Sequence, residues 1–136
     1  MKKIIIISAV IIALGLLIAL GPQFLFKVCL HEGDSFPRCH WSARAEIGIG
    51  FLIAALGVCM IVFTETKTRL GLSIGVFLSG IIALSIPHAL IGGCGMMAMQ
   101  CRKVAFPALT VESVVLLVFS AVIVVIYEMK NIRTNV

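Results

Sequence analysis

Charge is what this sequence has least of. Asp, Glu, Lys and Arg make up 12% of its 136 residues, about half the share of an ordinary soluble domain. Hydrophobic residues make up 61%, and the mean hydropathy is +1.18. That balance excludes a soluble globular protein. The chain also has no Cys-x-x-Cys and no His-x-x-x-His, so the commonest dithiol and zinc signatures are missing. Neither a nucleotide-binding loop nor a hydrolase triad is legible. The net charge of +5 does not call for nucleic acid: basic residues in termini and loops between apolar runs have lipid headgroups as counter-charge.

Four apolar runs remain, each near the roughly 20 residues that span a bilayer. Backbone groups go unpaired in lipid only at great cost, so each run is expected to be a helix. The sequence therefore predicts an all-α integral membrane bundle of four transmembrane helices, one domain over 1–136, with helices at about 4–24, 46–63, 70–91 and 108–127. The first run reads as retained rather than as a cleaved signal peptide, because "ALGPQ" sets Pro22 directly after the small-residue option for cleavage. Lys2 and Lys3 precede that helix, and the basic residues divide six to five between the two faces. We expect a multi-pass protein of the cell inner (plasma) membrane with both termini cytoplasmic.

Small residues supply the expected helix contacts. The third helix carries the Gly71-x-x-x-Gly75 step, with Ser79 and Gly80 beyond it. The second carries Gly48, Gly50, Ala54 and Gly57. Such residues let backbones approach where lipid is as apolar as the side chains, and packing inside the bundle is expected rather than a dimer contact.

Two stretches are chemically unusual. "VCLHEGDSFPRCHW" (28–41) follows the first helix, and "IGGCGMMAMQCRK" (91–103) follows the third. Alternating helices bring both to one face, whereas the "TETKTR" connection is a short polar turn. Cys29, Cys39, Cys94 and Cys101 would pair in an oxidising compartment, with three connectivities open. Cys59, near the far end of the second helix, reads as a small apolar filler. A second reading is a metal site: thioether and thiolate suit Cu(I), and imidazole suits copper and iron. Its ligands would come from His31, His40, Cys94, Met96, Met97, Met99 and Cys101, with His88 near the top of the third helix. A third reading is a thiol–disulfide/quinone oxidoreductase. Four helices with an exoplasmic cysteine pair resemble the vitamin K epoxide reductase architecture, but that family's reactive Cys-x-x-Cys is absent here.

Two carboxylates lie near this face. Glu46 opens the second helix, where the helix dipole favours it, and Glu112 lies one turn inside the fourth. Arg44, Arg102 or Lys103 are available to pair with them. Glu112, being deeper, is the better functional candidate. Trp41 and Tyr127 are expected at opposite membrane interfaces.

The order "VC" after helix one, "CHWSARAEIGIG" into helix two and "LIGGCGMMAMQCRKVAFPAL" into helix four resembles a bacterial family of small four-helix membrane proteins described as a domain of unknown function. Cys39-His40, Glu46, Cys94, Cys101 and Pro107 are the most specific points of likeness. The resemblance implies the four-helix fold and a bacterial inner membrane. Through the frequent company of such families with ABC-type transport systems, it also implies an accessory role in transport. The expected partners are then the lipid bilayer and an ABC-type permease or other membrane transport subunit, with no nucleic acid. The expected function is accessory work in bacterial transport or transition-metal handling, with copper or iron as the metal. The alternatives are the oxidoreductase and a structural subunit packed on a permease with disulfide-stapled loops.

Overall fold

The computed structural model describes residues 2–25, 38–90, 104 and 106–135. Its helices are α1 (Lys2–Leu20), α2 (Arg38–Val62), α3 (Thr66–Ser85) and α4 (Phe106–Asn135). The π-turns Gly21–Leu25 and Ile86–Leu90 extend α1 and α3. No strand occurs among the described residues. All four helices are long and apolar enough to cross a bilayer, as the sequence predicts, and the chain is a multi-pass membrane protein in a lipid environment.

Helix ends reach beyond the apolar runs that announced them. α2 starts at Arg38 rather than near Glu46, so "RCHWSARA" continues the helix outward. α4 runs on past Tyr127 through Asn135. At about 1.5 Å per residue, α4 is about 45 Å long against a hydrocarbon core of about 30 Å, so its polar last turns lie outside that core. Pro107 sits in the first turn of α4, where its missing N–H is not needed.

Each helix buries a narrow stripe at steps of three and four residues. In α4 the stripe is Leu109, Ser113, Leu116, Ser120, Ile123 and Tyr127. In α1 it is Ser8, Ile11, Gly15, Ile18 and Ala19. The outward faces carry large apolar side chains such as Ile6, Leu78, Val118 and Val122, as a lipid-facing surface should. The core groups Ile11, Ile18, Ile53, Met60, Val76, Leu116, Ile123 and Tyr127. Tyr127, 6% exposed, packs into the core toward the terminal end of α4. Trp41 is exposed at the other end.

The helices form two hairpins. α1 packs most extensively on α2, and α3 on α4, with α2–α3 contacts intermediate and α1–α4 contacts sparse. The tightest approach is α1 on α2. A Cβ on Gly50 would lie 2.5 Å from the Ala19 nitrogen, and one on Gly57 2.8 Å from the Ile12 side chain. The expected Gly71–Gly75 step does not play this part. Gly71 faces open space, and Gly75 meets only Leu56 at ordinary contact distance, 3.6 Å. The helix turns register by side-chain size, and Gly71 falls on the outer face.

The connection between α2 and α3 is tighter than a polar turn. Only residues 63–65 are non-helical. Arg69, 7% exposed, donates from Nε to the carbonyls of Met60 (3.2 Å) and Phe63 (2.8 Å). Expected as a headgroup-facing charge, it instead satisfies a carbonyl in the last turn of α2, that of Met60, and the Phe63 carbonyl just past its end.

Candidate functional site at the loop-bearing end

The end of the bundle opposite the chain termini gathers four chain ends: Leu25, Arg38, Leu90 and Phe106. Contacts of α2 with both π-turns, Gly21–Leu25 and Ile86–Leu90, bring them together. Both cysteine-bearing connections thus attach to the bundle at one end, as the alternation of helices requires. Cys29, His31, Cys94, Met96, Met97, Met99 and Cys101 lie outside the described residues, as do the side chains of Cys39 and His40, whose backbones belong to the first turn of α2.

His88 is the predicted ligand that the structure describes. Pro87 has no N–H to continue the α-helical ladder, and the chain widens there into the π-turn Ile86–Leu90. His88 is exposed on that turn. Its Nδ1 stands 3.1 Å from the Leu84 carbonyl. A carbonyl only accepts, so the hydrogen-bond network assigns the proton to Nδ1 and leaves the Nε2 lone pair. Thr110 Oγ1 lies 3.5 Å from Nε2 but gives its hydrogen to the Phe106 carbonyl at 2.7 Å. The ring also meets Phe106 edge-on, with centroids 6.3 Å apart and planes at 65°. An imidazole fixed through Nδ1 with Nε2 unencumbered is oriented as metal-binding histidines are. Among the described residues, no group of three or more His, Cys, Asp or Glu side chains could hold a metal ion. Any metal set must therefore draw on the two connections.

Beneath this face lie the carboxylates, ranked opposite to expectation. Glu46 is 0% exposed, and neither oxygen has a hydrogen-bond partner. Glu112 is only half-buried, with Oε2 buried and unpartnered. Glu46 is deeper because α2 begins at Arg38, which places it two turns inside the helix instead of at its mouth. The anticipated Arg44 pairing is not made: Arg44 lies on the exposed side of α2, and Glu46 remains unpartnered.

Sequence reasoning missed Ser42. It is 6% exposed, one turn before Glu46 on the same face of α2, and its hydroxyl has no partner. Ser8 and Tyr127 have unpartnered hydroxyls as well, whereas Ser73 bonds back to the Arg69 carbonyl and Ser79 to that of Gly75, each at 2.8 Å. The available signal was the spacing: Ser42, Glu46 and Gly50 recur every four residues along the stripe that α2 buries.

Cys59 is a free, half-buried thiol near the other end of α2, consistent with a packing role. No curated protein and no solved structure matches this chain. Residues 11–126 match the family described as a domain of unknown function, DUF4418, and the chain belongs to that family.

Proposed function

We propose that this chain is an accessory integral membrane protein of a bacterial transport or transition-metal-handling system. It would work in the inner membrane with both termini cytoplasmic, presenting its Cys/Met/His face to the extracytoplasmic side. One observation carries the reading: two connections rich in sulfur and imidazole attach to the same end of the bundle, where His88 offers an unencumbered Nε2. Met96, Met97, Met99 and His40 are the proposed soft ligands, joined by His31 and His88. Cys94 and Cys101 serve as ligands or, with Cys29 and Cys39, as bridges that shape the site. Thioethers bind Cu(I) without losing a proton, which suits a face that must take up and release metal. A partner permease of the ABC type or another transport subunit would receive or supply the ion.

The test is Cu(I) competition against a chelator, run on wild type and on the Met96→Leu, Met97→Leu, Met99→Leu triple variant in the same detergent. Leucine keeps the apolar bulk and removes the sulfur. The expected result is at least a tenfold loss of affinity. Equal binding by both proteins, or binding by neither, overturns the methionine site. Electron transfer to a quinone that survives the triple change and is lost in Cys94→Ser would make the protein a thiol–disulfide oxidoreductase instead.

A further inference from the structure

The end of the bundle away from the sulfur-bearing face carries a surface that the metal-handling reading leaves unused. A cleft of about 600 Å³ lies against the last turns of α4, lined by Ile126, Met129, Lys130, Ile132 and Arg133. Steps of three and four residues join Ile126, Met129, Lys130 and Arg133, so these four share one face of the helix. All of the lining residues are exposed, the apolar Ile126, Met129 and Ile132 by 49%, 57% and 60%. Lys130 and Arg133 are neighbours of like charge on that face, which by itself is unfavourable. Glu128 does not offset them: it lies two residues from Lys130 and five from Arg133, and so faces another side of the helix. Neither cation forms an ion pair among the described residues. Lys2, Lys3 and Lys67, all exposed, add positive charge at the same end against Glu65 and Glu128, while Arg69 is committed to carbonyls.

Such a face suits an anion with an apolar tail. Residues three apart on a helix have Cβ atoms about 5–6 Å apart, close enough for one phosphate to reach both an ammonium and a guanidinium. The guanidinium can also take two phosphate oxygens at once. A free phosphate would leave Ile126 and Met129 bare, on the membrane side of the cations, whereas the acyl chains of a phospholipid cover them. A zwitterionic headgroup brings a cation beside its phosphate, and this face has no acid to receive it. An anionic headgroup meets no such conflict and is drawn by the surrounding basic residues. We infer that the Lys130–Arg133 face of α4 is a binding site for one anionic phospholipid of the surrounding bilayer, its phosphate between the two cations and its acyl chains along Ile126 and Met129. This goes beyond the metal-handling reading and does not depend on it. The bound lipid relieves the repulsion between Lys130 and Arg133 and fixes the depth at which α4 leaves the membrane.

The experiment titrates the full chain in detergent with dioleoyl phosphatidylglycerol or dioleoyl phosphatidylcholine and counts retained lipids by native mass spectrometry. Wild type is expected to hold one phosphatidylglycerol per chain in preference to phosphatidylcholine, and added inorganic phosphate should not displace it. The Lys130→Gln, Arg133→Gln double variant should lose affinity on the order of tenfold or more. The Lys2→Gln, Lys3→Gln variant, which removes the same charge from the same end, should keep most of it. Lack of preference for phosphatidylglycerol in wild type overturns the proposal, whether or not the variants fold. Equal losses in the two double variants also overturn it, because general surface charge would then explain the binding. Displacement by inorganic phosphate would make the face a free-anion site, and a dimer that excludes the lipid would assign the face to a second copy of the chain; either result overturns the lipid site.

Discussion

Gly15 and Gly50 meet backbone to backbone at the centre of the α1–α2 hairpin. A Cβ on Gly50 would stand 2.6 Å from the Gly15 carbonyl oxygen, and one on Gly15 2.8 Å from that of Gly50. Neither atom belongs to a flexible side chain, so the helices themselves would have to part. Helix propensity favours alanine over glycine by about 1 kcal/mol, but overpacking costs about 1–3 kcal/mol and also removes contacts along the whole seam. Gly50→Ala is therefore expected to lower the thermal midpoint in detergent, whereas Gly48→Ala, which faces open space, should hold or raise it. Equal midpoints for the two variants would mean that the close approach contributes nothing.

Arg69 supports a second prediction. Its Nε holds the Met60 and Phe63 carbonyls at the end of α2. Arg69→Met keeps the aliphatic stem and leaves those carbonyls unsatisfied, at a cost of about 1–3 kcal/mol. Lys67→Met, two residues earlier and exposed, removes the same charge and should change little. A melt in which both variants lose the same amount would assign the effect to charge near the membrane surface and not to the cap.

Both predictions rest on features the sequence disclosed unevenly. The four spans were legible because 18 or more apolar residues admit hardly any other structure. Which face of each helix turns inward was not. Lipid and bundle interior are equally apolar, so hydrophobic periodicity, the usual guide, is absent. Large aliphatics lie on both sides, Ile11, Ile18 and Leu116 inward and Ile6, Leu78 and Val118 outward, so the inward stripe is marked instead by small and polar residues such as Ser8, Gly15, Ser42, Glu46, Ser73, Ser113 and Ser120. Read that way, Gly15 would have been preferred to Gly71, and Glu46 to Glu112. Helix ends escaped notice because α2 and α4 continue into polar sequence, where hydropathy ends but backbone hydrogen bonding does not. The depth of Glu46 needed the true start of α2 at Arg38, which hydropathy cannot supply.

Membrane orientation is tested by insertion of a reporter that is active only outside the cytoplasm. It should work beside Asp34 and beside Met97, and be silent beside Lys67. Activity at Lys67 with silence at the other two would invert the protein and place the sulfur-rich face in the cytoplasm. Activity at all three would contradict four alternating spans.

The state of the loop cysteines decides what surrounds any metal. The chain has five cysteines, of which Cys59 is a free thiol on α2. In an oxidising compartment Cys29, Cys39, Cys94 and Cys101 are expected to be paired. Alkylation of denatured, unreduced protein should then add one label, at Cys59, with the remainder labelled only after reduction. Cys39→Ser would expose a second thiol, its former partner, and lower stability by about 2–4 kcal/mol, the usual scale for a bridge. Identifying that newly labelled residue by mass separates the connectivities. Labelling at Cys29 means a closed first loop, while labelling at Cys94 or Cys101 means a bridge tying the two hairpins together. Five labels without reductant would remove bridges altogether and leave thiols available beside Met96, Met97 and Met99, the arrangement a Cu(I) site would use.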